Sequence, residues 1–281
     1  GIFTAGCAGG GRIDIKLSGK AKTHIGQIYT LTISGFKGGH SGVEIHKNRA
    51  KAIKCAAEIL SKLENVRVGK MIAGSADNAI PSDAIVLFTT KTSIFEISEV
   101  INNAKEALPE GETDAKFSID MKIFSAKLYN EDDSANILSL ITEMPNGVTR
   151  MSEDIEGLVE TSLNMGIINI DDKSVALTIS VRSAVGEEKA KLIAKIKEIA
   201  ASHGANVEVR GEYPAWEYRK ESRLRDVMCR VYKEMYGKDA TVVTIHAGLE
   251  CGIIASKLPG LDVISVGPDM RDVHTPDERL N

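Results

Sequence analysis

Between Gln27 and Ser34 the apolar residues Tyr29, Leu31 and Ile33 alternate with Thr30, Thr32 and Ser34, the period of two that a strand with one buried face imposes. A glycine-rich loop follows, Gly35 to Gly42. The spacing then changes to three and four: Ile53, Ala56, Ala57, Leu60 and Leu63 place one apolar stripe on a helix of about twenty residues. Ala84 to Thr90, introduced by the turn Pro81-Ser82-Asp83, reads as a strand, Glu96 to Leu108 as a helix, and Phe117, Ile119, Met121 and Ile123 as the alternating face of a further strand. Another strand ends at Asn78-Ala79-Ile80-Pro81. The order strand, helix, strand, strand, helix, strand predicts an open-faced two-layer α+β domain.

The next stretch partly echoes the first. A short helix covers Ser134 to Glu143, strands cover Glu160 to Ile170 and Val175 to Ser183, a helix covers Glu187 to His203, and a strand covers Val207 to Arg210. Val175, Leu177, Ile179 and Val181 share one face, which leaves Arg182 on the other face at the strand's end. At Tyr213-Pro214-Ala215-Trp216 the character shifts. A helix bearing Leu224, Val227, Met228, Val231 and Met235 leads to an apolar run Thr241 to Ile245, a glycine-containing helix Gly248 to Lys257, and a second run Leu261 to Val266. Two short apolar strands around one helix predict a right-handed βαβ unit of a parallel sheet. Such a sheet needs more strands than this tail supplies, and the first dozen residues add at most one. The expected organisation is therefore 1–18 as a stub of an α/β domain, 19–211 as the open-faced domain, and 212–281 as the C-terminal part of the α/β domain.

Length fits this reading, since 281 residues correspond to about two domains. The 35 Lys+Arg and 39 Asp+Glu give a net charge of -4 spread over both signs, which argues against nucleic-acid binding and polybasic membrane docking. No apolar run approaches the roughly 18 residues of a membrane helix. Cys7, Cys55, Cys229 and Cys251 lie far apart without a CxxC pair, so reduced thiols in the cytoplasm are expected. The chain opens on Gly1 beside the string Gly6-Cys7-Ala8-Gly9-Gly10-Gly11 and stops just after a motif-like stretch, as an excised piece would.

Candidate chemistry gathers in a few loops. The string Gly6 to Gly11 lacks the Gly-Lys-Ser/Thr ending of a phosphate loop and opens onto no amphipathic helix, so it reads as a backbone turn. In Gly38-Gly39-His40-Ser41-Gly42 a histidine stands between glycines with a bare backbone around it, suited to catalysis or incidental to a capping loop. His24, His46 and His203 read as solvated surface. His246 and Glu250 have a helical i,i+4 metal-binding spacing without the second histidine of HExxH; a helix N-terminus receiving a substrate anion, with Gly248 allowing close approach, is the better reading. His274, in Val273-His274-Thr275-Pro276-Asp277-Glu278, follows a strand end and is flanked by carboxylates, which suits a metal ligand or a plain surface turn. Asn78 before Ala79-Ile80-Pro81 is a turn residue or an exposed amide for a ligand. Arg182 is a carboxylate clamp or an exposed sheet arginine.

Four collinear stretches resemble the cytosolic aminoacyl-histidine dipeptidases (Xaa-His dipeptidases, peptidase D) of the two-zinc aminopeptidase and carboxypeptidase-like superfamily. They are Ile33-Ser34-Gly35 through Gly42, Arg150 to Asp154 with Glu160-Thr161-Ser162-Leu163-Asn164, His246 to Gly252, and His274 to Leu280. The resemblance implies a parallel-sheet α/β catalytic domain holding two zinc ions and a lid domain inserted into it that closes over a dipeptide. By motif it implies His274 as a zinc ligand, His40 as the lid histidine that stabilises the oxyanion, and Asn78, Arg182, His246 and Gly248 as substrate-binding groups. The superfamily's other metal ligands and its general base precede the lid, and they have no counterpart here. The expectation is a lid domain with the last part of a catalytic domain, inactive alone. The alternative is a non-catalytic lid or homodimerisation module.

Overall fold

The computed structural model describes residues 1–268, 270–271 and 277–280. In chain order the strands are β1 (Ile2–Cys7), β2 (Gly9–Ser18), β3 (Lys22–Ser34), β4 (Gly39–His40), β5 (Arg67–Ala73), β6 (Ala79–Ile80), β7 (Ala84–Thr89), β8 (Lys116–Leu128), β9 (Gly147–Met151), β10 (Val159–Ile170), β11 (Ser174–Ser183), β12 (Asn206–Tyr213), β13 (Thr241–Ile245), β14 (Met270–Arg271) and β15 (Arg279–Leu280). The helices are α1 (Ala52–Ser61), α2 (Ile94–Glu106), α3 (Glu131–Glu143), α4 (Gly186–Ser202), α5 (Arg223–Tyr236) and α6 (Glu250–Lys257). None of the described helices is long and apolar enough to cross a membrane.

Nine strands form one antiparallel sheet in the order β12-β2-β11-β10-β5-β7-β3-β8, with β9 also paired to β10. The echo between the two halves is topological. The unit β3-α1-β5-β7-α2-β8 lies in the sheet as β5-β7-β3-β8, and β2-α3-β10-β11-α4-β12 lies as β10-β11-β2-β12, the same permutation of first to fourth strands. The first unit is inserted between β2 and α3 of the second. They join through β10 and β5, where Ile168 faces Ala73 and Asn169 faces Ile72. A continuous core that includes Leu31, Ile53, Leu140, Ile179 and Ile196 runs under the helices of both units.

Three expectations change. The boundary after residue 18 does not hold, because residues 9–18 are a strand of the large sheet between β12 and β11. The stripe from Ile53 to Leu63 makes a helix of only ten residues; Leu63 is buried in the following turn, and Asn65 at φ 50° turns the chain into the left-handed region. The parallel partner of β13 is β1, with Phe3 opposite Val242. Since β1 occupies that lane, Leu261 to Val266 forms no parallel strand and meets β1 only through the antiparallel bridge Thr4–Ser265. The apolar stripe of α5 is helical as expected, yet Val227, Val231 and Met235 stay exposed, as do Ile253 and Ile254 of α6.

The glycine string is neither a phosphate loop nor a turn. It carries the chain straight from β1 into β2. A Cβ on Gly9 would stand 2.5 Å from the Ala215 backbone nitrogen, and one on Gly10 2.5 Å from the Tyr213 hydroxyl. Glycine is used here because two backbones pass too close for a side chain. Gly9→Ala should therefore cost about 1–3 kcal/mol, whereas Gly267→Ala, with nothing within 4 Å of its Cβ position, should change stability by less than about 0.5 kcal/mol. Urea unfolding compares them, and equal midpoints would contradict the packing argument.

Candidate functional site

The loop before α1 bends through Gly38 at φ 57° and Gly39 at φ 132°, conformations that side chains disfavour. This lets β4 pair with β6, placing Gly39 opposite Ile80 and His40 opposite Ala79, while the Ser41 N–H donates to the Asn78 carbonyl at 2.8 Å. His40 and Asn78 are thereby brought together. Asn164 on β10 donates to the carbonyls of Asp77 (3.1 Å) and Ala79 (2.7 Å), gripping the chain on both sides of Asn78, whose own side chain is exposed. The His40 Nδ1 accepts N–H groups from Gly42 (3.1 Å) and Val43 (3.2 Å). In the neutral ring the proton then sits on Nε2, which makes that edge a donor.

His246 arrives from the other part of the fold, just past the end of β13, and is buried. Its Nε2 lies 2.7 Å from the hydroxyl of Ser162 on β10. Burial and the nearby Arg182 cation push its pKa down to about 4, so the ring is neutral at physiological pH. Gly42 sits between the two histidines: a Cβ there would come 2.9 Å from both the His246 carbonyl oxygen and His40 Cε1. Arg182 stands opposite Ser162 in the β10–β11 register and donates from Nη1 to the Tyr213 hydroxyl at 3.1 Å. The Tyr213 ring reaches Gly248, where a Cβ would be 2.8 Å from Cε2. His40, Asn78, Arg182, His246 and Gly248 thus belong to one neighbourhood, linked by Gly42, Ser162 and Tyr213.

Among the described residues five buried side-chain polar atoms lack a hydrogen-bond partner. Three of them, Ser41 Oγ, Arg182 Nε and His246 Nδ1, lie in this neighbourhood, and a fourth, Thr244 Oγ1, is two residues before His246. Folded interiors leave few such atoms unpaired, so their concentration in one place makes it the candidate site. A guanidinium and a hydroxyl offer donors, the complement of a carboxylate or an oxyanion, while the role of His246 Nδ1 follows from whether Ser162 donates to or accepts from Nε2.

His274 lies outside the described residues. The i,i+4 metal reading of His246 and Glu250 is not realised, because α6 begins at Glu250 and His246 precedes it with its ring turned toward β10. Among the described residues no group of three His, Cys, Asp or Glu could hold a metal ion. These residues do not by themselves fit a zinc centre. His203 is not solvated surface: its ring lies 2.8 Å from Asn136 Oδ1 and 3.1 Å from Glu143. Ser162 and Asn164 fall in a stretch that carries the family resemblance but, like Tyr213, have no role assigned from the sequence. The first two had a signal, since alternation along β10 puts them on one face, and the β10–β11 register sets Ser162 opposite Arg182. Tyr213 showed only as a change in character.

Residues 31–114 match the family described as the peptidase dimerisation domain. Cytosol non-specific dipeptidase of Escherichia coli (strain K12) is 29% identical over 293 aligned positions, covering 100% of this chain and 60% of that protein. The crystal structure of aminoacylhistidine dipeptidase from Vibrio alginolyticus matches with a TM-score of 0.92 and 30% identity, covering 100% of this chain and 59% of that one. The chain thus spans about three fifths of the length of these relatives.

Burial of His246 sets a pH dependence. The folded chain resists protonating this ring and the unfolded chain does not, so its contribution is complete above pH 6.5 and is lost as the pH falls toward about 4. Over that window the wild type should lose about 3 kcal/mol more unfolding free energy than His246→Gln. Parallel pH profiles in chemical denaturation would show that the ring is not buried as described.

Proposed function

Starting from a chain related to dipeptidases over its whole length, with a peptidase dimerisation domain at residues 31–114, we propose that it supplies the substrate-gripping half of a cytosolic Xaa-His dipeptidase centre. The observation that carries this reading is the group of unpartnered polar atoms on Ser41, Arg182 and His246, contributed by both parts of the fold. Arg182 pairs with the dipeptide carboxylate, and the bare backbone at Gly248 lets that carboxylate come close. The exposed Asn78 amide holds the substrate backbone. The Nε2–H of His40 donates to the oxygen on which negative charge develops when the peptide carbonyl is attacked. Neutral His246 keeps the floor of the pocket polar without adding a second positive charge beside Arg182.

Zinc is the metal of the complete centre in this reading, and His274 is one ligand by motif. The described residues do not assemble a metal site, and no hydrolytic step is assigned to them. The exposed apolar faces of α5 and α6 suit packing against the part of the relatives' length that this chain does not cover. Residues 1–281 alone, supplied with zinc, should leave an Xaa-His dipeptide intact; chelator-sensitive cleavage would overturn that.

The lid has a second use that a separate observation favours. β8 ends the strand order, and Met121 and Ile123 on it, with Ile25 on β3, are exposed. A second copy pairing along this edge would cover them and give a homodimer. Light scattering should report a dimer that forms without zinc and dissociates on Ile123→Lys. Isothermal titration tests the principal reading: Arg182→Gln should weaken binding of an Xaa-His dipeptide by about tenfold or more, and unchanged affinity would remove Arg182 from the site.

A further inference from the structure

Glu44 lies four residues beyond His40, outside every substrate-binding role assigned above. Its carboxylate Oε2 accepts the His40 backbone N–H at 2.9 Å, and its own backbone N–H donates to the His40 carbonyl at 3.0 Å. One residue therefore holds both polar groups of the His40 backbone. Between those two bonds the chain makes a tight turn, and the N–H groups of that turn, Gly42 and Val43, are the ones that His40 Nδ1 accepts. The ring is folded back over the turn that Glu44 closes.

The carboxylate is itself anchored. Oε1 accepts from Lys47 Nζ at 2.8 Å and from Arg49 Nη2 at 3.4 Å. Gly39 makes room for it, since a Cβ there would stand 2.6 Å from Oε2. The Lys47 ammonium and the His40 N–H hold its pKa down to about 2, so it stays charged wherever a dipeptidase would work. Charged acceptors make the stronger hydrogen bonds, and a loop of conformationally free glycines gains most from such a brace.

From this geometry we infer that Glu44 is the positioning residue of His40: it closes the 40–44 turn, and the turn fixes which imidazole nitrogen carries the proton and where that proton points. The inference rests on the reading of His40 as an oxyanion donor for its functional meaning, while its structural content concerns the turn alone. Glu44 touches neither substrate nor reacting atoms and acts only through His40.

The test uses the isotopically labelled 281-residue chain by NMR, reading the His40 ring nitrogens and the exchange of the His40, Gly42 and Val43 amides. In Glu44→Ala these amides should exchange about tenfold or more faster, and the His40 ring shifts should move to those of an unrestrained imidazole. Glu44→Gln, whose amide oxygen still accepts the His40 N–H, should restore the wild-type ring shifts. Unchanged His203 signals certify the fold. Should Glu44→Ala fail to fold, Glu44→Asp replaces it, because its shorter side chain leaves the His40 N–H out of reach and should loosen the turn alike. Wild-type ring shifts and amide protection in the folded variant overturn the inference. No readout needs substrate or turnover, so a failure of dipeptide binding would count against the proposed function and leave this result separate.

Discussion

The fold turns on the place where the chain crosses twice between its parallel strand pair and its large antiparallel sheet. The outward crossing runs through Cys7, Ala8 and Gly9, and the return through Tyr213 to Trp216. They are bonded to each other: the Cys7 N–H donates to the Trp216 carbonyl at 2.9 Å, and the Trp216 N–H donates to the Cys7 carbonyl at 3.0 Å. Both backbones are packed so closely that only glycine fits at position 9. A paired crossing resists shear between the two parts far better than two separate linkers. The position of the site follows from it. Tyr213, the last residue of β12, puts its hydroxyl on Arg182 and its ring on Gly248, while β13, held beside β1, delivers His246 to Ser162.

The doubled βαββαβ topology explains why one sheet serves two purposes. The inner junction, β10 against β5, is closed within the chain, and β10 supplies both Ser162 opposite Arg182 and Asn164, which holds the chain beside Asn78. The outer edge at β8 has no further strand beside it among the described residues. The proposed binding site and the proposed pairing edge therefore lie at separate places on the structure.

Much of this was legible in the sequence, for identifiable reasons. Alternation over Tyr29, Leu31 and Ile33 reports one buried face, and β3 has it; alternation over β11 put Arg182 off the core face. The glycines of β2 hid a strand, although Ile13 and Ile15 alternate and are buried. Periodicity does not say which strand lies beside which, so the lane next to β13 was given to Leu261 to Val266 instead of β1. Likewise the ring of His246 could be placed at a strand end but not aimed, because its partner Ser162 is 84 residues away in sequence. Local pattern sets faces; long-range packing sets neighbours.

In the proposed site, side chains from both parts of the fold grip one dipeptide. Amide and side-chain shift mapping of the 281-residue chain titrated with an Xaa-His dipeptide tests it most directly. Perturbations at Ser41, Arg182, His246 and Gly248 should saturate together. Saturable shifts confined to another surface, such as the cavity of about 360 Å³ beside Lys51 and Lys54, would contradict it.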